Sequence, residues 1–290
     1  MDIWVVLQQA FNGLSVASIY MLVAVGITLV FGLTGIVNFA HGELMMLGAY
    51  ALLVVAPQGG PVFVVGLVAA LVFVGLVSFA LERGLFRYTL KRPVNGFLVS
   101  LGLILVIQNI LIEFWTITQK NVAPLFSTIW RYGDLRISSQ RVFIIVVTAL
   151  IFTAFGLALR YSKVGVALRA TALDRETATL MGIPVPRMIM LTFIGGGILA
   201  ATGGAFLATI YPISPMMGSS YVVKGFAVAI VGGLGNVGGA MIAAFLLGMA
   251  EAANAAFGFG EWTDAVSFAL MILMLLLRPQ GLLRGTEAAI

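Results

Sequence analysis

Residues Phe11 to Leu33 read FNGLSVASIYMLVAVGITLVFGL, 23 residues without one charge. A helix crosses the hydrocarbon core of a bilayer with about 20 mostly apolar residues. Outward from this stretch the pattern recurs, giving about eight hydrophobic segments at roughly 11–33, 35–56, 61–82, 97–117, 142–159, 189–210, 223–250 and 263–277. Of the 290 residues 61% are hydrophobic and 9% charged, and the mean hydropathy is +1.11. Soluble domains are about 45–50% apolar and about 25% charged, so a soluble fold has nowhere to put this surface. The expected fold is all-α and polytopic in the membrane. Zero Cys excludes disulfides, thiolate zinc sites and thiol nucleophiles, and a single His excludes a multi-His metal site.

The charges set the expected topology. Loop 83–95 holds Arg83, Arg87, Lys91 and Arg92, and loop 160–187 holds Arg160, Lys163, Arg169, Arg175 and Arg187. Between them, loop 118–141 holds Lys120, Arg131, Arg136 and Arg141. Sixteen basic residues against eleven acidic ones, gathered in such loops, read as a topology signal and not as a nucleic-acid footprint. The first two loops can share a side and outweigh the third by nine to four, so they fall in the cytoplasm and 118–141 outside. The N-terminus, which carries Asp2 and no basic residue, then lies outside and lacks the basic region of a signal peptide. Its first residues, Ile3 to Phe11, read as an amphipathic stretch along the interface. Eight crossings would put the C-terminus outside too, yet Arg278-Pro279-Gln280-Gly281 looks like a basic cytoplasmic stop. Either one segment does not cross fully or one contains two crossings.

The candidates for that exception are two glycine clusters, Gly32-Leu33-Thr34-Gly35 running on to Glu43, and Gly232-Gly233-Leu234-Gly235-Asn236-Val237-Gly238-Gly239. Glycine costs about 1 kcal/mol in a helix interior relative to Ala, so each cluster predicts a broken helix. Non-helical backbone at membrane depth is tolerated where protein buries it or water reaches it. One break in each half is the pattern of a transport site built from discontinuous helices. Gly32, Gly35 and Gly48 fall 200 residues from Gly232, Gly235 and Gly248, which points to an internal inverted repeat; small-residue packing between helices accounts for the same glycines. Asn38, His41 and Glu43 lie within the first cluster, and an ionisable group in the bilayer is a functional-site hypothesis by default. Asn38, His41, Glu43, Gly235 and Asn236 are the candidate pathway or gate residues. On a continuous helix Asn38 and His41 share a face that Glu43 does not; helix capping explains them equally. Glu251 with Asn254, and Gln108 with Asn109 and Glu113, read as interhelical hydrogen bonds near span ends.

Residues 161–187 are the least membrane-like part of the chain. Asp174 suits the N-cap of a short helix with Arg175 to Met181 as its body, Gly182 as its stop, and Pro184 and Pro186 blocking continuation. With Ala178 and Met181 on its apolar side, such a helix suits docking into a groove on a soluble partner. Taken alone, the loop equally reads as a solvated connector.

The run Asn38-Phe39-Ala40-His41-Gly42-Glu43, then Gly48-Ala49-Tyr50, resembles the LivH-type permease subunits of bacterial branched-chain amino acid ABC importers. Glu176, Ala178 and Gly182 fit that family's coupling motif, a Glu, then Ala, then Gly six residues after the Glu. Gly232-Gly233-Leu234-Gly235-Asn236 and Leu277-Arg278-Pro279-Gln280-Gly281-Leu282 are also similar to the family pattern, and the likeness extends over about residues 11–285.

The resemblance implies a single transmembrane permease domain over 1–290, in the bacterial inner membrane, with 161–187 as its cytoplasmic coupling loop. Asp174, Arg175, Glu176, Ala178 and Gly182 would then meet an ATPase. It implies two cytoplasmic ATPase subunits, a second homologous permease subunit and an extracytoplasmic substrate-binding protein, with no enzyme activity, catalytic residue, metal or cofactor in this chain. ATP would be bound by the partners, since the sequence has no G-x-x-x-x-G-K-[ST] loop. Loop 118–141 carries a net charge of +3, so a binding protein meeting it should be acidic. The same architecture would also carry urea, short amides or other amino acids. An ion-coupled secondary transporter, with Glu43 as its coupling carboxylate, is the main alternative. A membrane-embedded enzyme is disfavoured by one His and very few acids in the spans.

Overall fold

The computed structural model describes residues 3–133, 135–278 and 281–283. Asp2, Pro279 and Gln280, which enter the sequence reading above, and Asp134, the acid of loop 118–141, lie outside them. Ile3–Thr34 forms α1, His41–Val55 α2, and Val62–Leu81 α3, which runs through a π-helical turn, Glu82–Phe86, into the short α4, Arg87–Thr89. Pro93–Trp115 forms α5, a hairpin of β1 (Ile129–Tyr132) and β2 (Leu135–Ser138) follows, and Ser139–Tyr161 forms α6. The short helices α7 (Lys163–Leu173) and α8 (Arg175–Leu180) lead to α9 (Val185–Ala208). The chain closes with α10 (Met217–Gly232), α11 (Val237–Ala256) and α12 (Thr263–Leu277). Six of these helical stretches are long and apolar enough to cross a membrane, and α2, α10 and α12 are shorter apolar helices.

Side-chain pairs fix the directions. Gly13 meets Ala252 and Gly32 meets Gly235, so α1 and α11 are antiparallel. A Cβ on Gly248 would lie 2.6 Å from that of Ala17, so only glycine permits this close a crossing. Tyr20 faces Tyr221 and Gly225 faces Val23 and Ile27, so α10 runs parallel to α1. The span expected over 223–250 is therefore two antiparallel helices. Gly233 (φ 102°) and Gly235 (φ 89°) turn the chain, and Asn236 caps the new helix by accepting from Gly239 N–H at 2.9 Å. The first cluster is likewise a reversal and not an interruption of one helix. Gly35, at φ 67°, ends α1 with its N–H on Phe31 C=O, and the backbone runs non-helically over 35–40 before α2 starts at His41.

Nine apolar helices among the described residues thus alternate in direction, where eight segments were expected. An odd number settles the parity conflict: the chain after α12 returns to the end that holds the α10–α11 turn. Leu282 N–H donates to Val231 C=O at 2.8 Å and Leu283 N–H to Gly232 C=O at 3.2 Å. That end also carries 83–95, 160–187 and Arg278, the basic end that the positive-inside rule would place in the cytoplasm. The opposite end carries the β-hairpin, whose Arg136 N–H bonds Gln8 Oε1, and the bridge between Lys120 and Ile213. The 200-residue offset superposes α1 on α10 and α2 on α11, and each pair runs in the same direction. The correspondence is therefore parallel, not inverted. Ile3 to Phe11 is the continuous start of α1 and not a separate interfacial stretch.

The core lies where α1, α2, α9, α10 and α11 meet, around Leu22, Met45, Met46 and Phe206. Most of α3, α5 and α6 is exposed along an apolar outer face, as expected where lipid or another membrane protein replaces water.

Candidate functional site

A polar cluster sits at mid-depth between α2, α5 and α10. Glu43, in the first turn of α2, is fully buried. Its Oε1 accepts from Gln108 Nε2 at 2.9 Å, and the same amide donates to Ser219 Oγ at 2.7 Å. Oε2 of Glu43 has no hydrogen-bond partner among the described residues. Two glycines make the cluster possible. A Cβ on Gly42 would run into the Gly218 carbonyl, and one on Gly218 would lie 2.7 Å from Glu43 Oε1. The α2–α10 crossing is thus closed to any larger residue, which brings the carboxylate against the first turn of α10.

The other residues of the first cluster do not join Glu43. His41 points the opposite way, into the α1–α9 crossing, with Nε2 over Gly26 and its ring beside Gly196. Neither of its ring nitrogens has a hydrogen-bond partner among the described residues. Asn38 lies in the non-helical run and its Oδ1 accepts from Ala40 N–H at 3.1 Å, organising the entry to α2. Phe39 stacks on Phe226 at 4.7 Å and its N–H donates to Ser100 Oγ, which ties that entry to α10 and α5. Gly235 and Asn236 sit at the α10–α11 turn, where Gly235 touches Gly32. The candidates thus fall into three places: a mid-depth carboxylate, a helix-crossing histidine and a junction at the basic end.

A second polar network surrounds Glu251, which makes the interhelical hydrogen bonds expected of it, with a lysine the sequence reading does not single out. Lys224 Nζ on α10 lies 3.0 Å from Glu251 Oε1 on α11 and 2.8 Å from Asp264 Oδ1 at the start of α12. Tyr20 Oη donates to Glu251 Oε2 at 2.7 Å and Ser267 Oγ to Glu251 Oε1 at 2.6 Å. Glu251 is thus a hub joining α1, α10, α11 and α12, whereas Asn254 binds Phe259 C=O instead. The overlooked signal was a lysine and a glutamate within one long apolar segment, which a hairpin would pair. Asn109 and Glu113 also depart from expectation. Both are exposed on α5, and Asn109 donates to Leu105 C=O of its own helix. Polar groups on an outward face at membrane depth need water or protein beside them.

At the basic end the short helix forms much as the sequence predicts. Asp174 Oδ1 accepts from the N–H groups of Glu176 and Thr177, and Oδ2 accepts from the Thr177 hydroxyl. These bonds, that of the Thr177 N–H foremost, hold its carboxyl below the usual range. Gly182 (φ 82°) donates to Thr179 C=O and Ile183 to Ala178 C=O, the two bonds of a Schellman stop. The apolar side differs from expectation. Ala178 is buried in this chain against Val30, Ile36, Phe86, Ile189 and Phe193, because the Schellman turn folds Ile183 back over it. Leu180 and Met181 instead stand 87% and 79% exposed. Arg175 and Glu176 follow the cap in the first turn of α8. A further helix, α7, precedes this one, capped by Ser162 Oγ on Gly165 N–H. Among the described residues no group of three or more His, Asp or Glu could hold a metal ion.

Alternating apolar helices around a buried polar cluster define a multi-pass membrane protein. The sequence pattern of the family described as branched-chain amino acid transport system / permease component matches residues 9–275. The chain is 37% identical over 300 residues to the high-affinity branched-chain amino acid transport system permease protein LivH of Escherichia coli, covering 97% of this chain and 96% of that one. BraD of Pseudomonas aeruginosa, also named a high-affinity branched-chain amino acid transport system permease protein, is 34% identical over 306 residues, covering 99% and 98%. A probable LivH of Methanocaldococcus jannaschii is 28% identical over 287 residues, covering 92% and 89%. The chain belongs to the family of branched-chain amino acid transport permease components.

Proposed function

We propose that this chain is the membrane-spanning subunit of an ATP-driven importer and forms part of the pathway for branched-chain amino acids across the bacterial inner membrane. The full-length similarity to LivH and BraD carries the reading. Glu43, Gln108 and Ser219 form the polar step of the pathway at mid-depth. Asn38, His41, Gly235 and Asn236 belong to the helix junctions that open and close it. Energy comes from partners: two ATPase subunits dock on the cytoplasmic end, where Asp174 to Gly182 present a capped helix with Leu180 and Met181 outward. A second permease subunit covers the outer face of α5, which the exposed Asn109 and Glu113 support. An extracytoplasmic binding protein with an acidic face delivers cargo to the basic segment 118–141.

Extraction of the tagged chain in mild detergent, followed by identification of what co-purifies and by uptake in proteoliposomes, tests this. ATPase subunits in the eluate and ATP-dependent leucine uptake are expected. Recovery without any ATPase, together with uptake driven by an ion gradient, would overturn the proposal.

A further inference from the structure

Between α2, α3 and α5, toward the end that carries the β-hairpin, lies an apolar cleft of about 450 Å³. All eleven residues of its wall are aliphatic or aromatic, among them Leu47 and Ala51 of α2, Ala69 and Phe73 of α3, and Leu111 and Phe114 of α5. The cleft opens sideways, since Phe73 and Phe114 are exposed. On α3 the opening runs on into an outer face of Val65, Val68, Val72 and Leu76, all exposed. The end of α5 is held loosely across this gap. Its last buried residue is Leu111, and beyond that an edge-on contact between the rings of Trp115 and Tyr50, at 5.4 Å, ties it to α2.

An empty cleft forfeits the dispersion contacts of the side chains that line it. Water does not replace them, because an ordered water needs polar partners that this wall does not offer. The occupant is therefore hydrocarbon, from lipid or from another protein, and α5 distinguishes the two. Its exposed polar edge, Asn109 and Glu113, is where water or protein is needed. That edge lies about 150° around the helix from the cleft residues Ile110, Leu111, Phe114 and Trp115. A protein covering the polar edge leaves the cleft facing the bilayer. The length also fits: from Leu47 to Val55 the wall runs about 12 Å along α2, against about 15 Å for the hydrocarbon of one leaflet. We propose that the cleft holds one acyl chain of a membrane phospholipid, which completes the packing of α5 against α2 and α3. By fixing α5 the chain also fixes Gln108, whose amide donates to Glu43 at 2.9 Å.

The test uses the full chain, with whatever subunits co-purify with it, in phosphatidylcholine vesicles doped with the same lipid bearing a diazirine on one acyl chain. Irradiation followed by peptide mapping locates the adducts. Labels inside the cleft, on Leu47, Ala51 or Leu111, are expected beside labels on the outer face of α3. Ala51→Phe and Ala69→Phe fill the cleft from opposite walls. A filled cleft offers the chain no contacts, so labelling of Leu111 is expected to fall about fivefold or more in either variant, with the outer face of α3 labelled as before. Undiminished labelling of Leu111 in a variant that inserts overturns the proposal. Absence of label inside the cleft of wild type overturns it too, whether lipid stays on the outer face or a second subunit seals the opening. The wild-type map decides the matter even if neither variant inserts.

Discussion

Lys224 Nζ lies 3.0 Å from Glu251 Oε1, and the two residues belong to antiparallel helices that a four-residue span, 233–236, joins. Both side chains are largely shielded, at 12% and 8% exposure. In such a place a lysine persists because its partner is held in reach. The hydroxyls of Tyr20 and Ser267 complete the coordination of Glu251.

Removing Lys224 leaves the Glu251 carboxylate buried without its counter-charge. Lys224→Met is expected to destabilise the fold by about 3–5 kcal/mol. Adding Glu251→Met to it should recover much of the loss. Thermal unfolding of the purified variants in one detergent decides the matter, and a single variant as stable as wild type would refute the pairing.

The α2–α10 crossing predicts a graded glycine series. Gly42→Ala meets the Gly218 backbone and should abolish correct assembly. Gly218→Ala meets the movable end of Glu43, so the protein should still insert while uptake falls at least tenfold. Gly102→Ala, with open space around it, should behave as wild type. Surface expression measured beside uptake separates the three, and equal behaviour of Gly42→Ala and Gly102→Ala would count against the geometry.

Asp174 contributes as a charged cap. Because its carboxyl titrates below its ordinary value, the cap is fully present above the unfolded pKa, about 3.9. It is lost only as pH falls through the lower folded value. ATPase association should therefore show no loss from Asp174 between pH 7 and 5. Asp174→Asn, which keeps an acceptor oxygen, should retain most association, whereas Asp174→Ala should not. Pull-down of the ATPase across that pH range tests both statements, and a steep loss near pH 6 that Asp174→Asn removes would contradict them.

The two sides of α8 separate folding from docking. Ala178→Leu forces bulk into the cluster with Phe86 and Phe193 and should cost about 1–3 kcal/mol of this chain's own stability. Met181→Glu, on the exposed side, should leave the chain as stable as before and weaken ATPase binding about tenfold or more. A Met181→Glu variant that binds its ATPase normally would move the docking surface elsewhere.

What was legible in sequence was local. The apolar segments announce themselves because an unsatisfied backbone in lipid permits little but helix. The cap at Asp174 and the stop at Gly182 were readable because both depend on neighbours within about one turn. Glu43 stood out as an acid in an apolar run. Gln108 reads as an interhelical hydrogen-bonding residue and is one, but its partners are not legible, because Glu43 and Ser219 lie 65 and 111 residues from it. Glu251 makes the interhelical hydrogen bonds expected of it, but its partner Lys224, 27 residues away, is not legible in sequence.

The sequence by itself determined that this chain is a multi-pass helical membrane protein whose loops 83–95 and 160–187 share one side. Composition, segment length and loop charge act through the bilayer, whatever the helices pack against. Only the tertiary structure decided that 223–250 holds two helices and not one, that nine apolar helices among the described residues return the chain after α12 to the basic end, and that Ala178 faces inward while Met181 does not. A hydrophobic run has the same composition whether it crosses once or turns at a glycine. Which side of a short helix is buried is set by residues such as Phe86 and Phe193 that arrive from elsewhere in the chain.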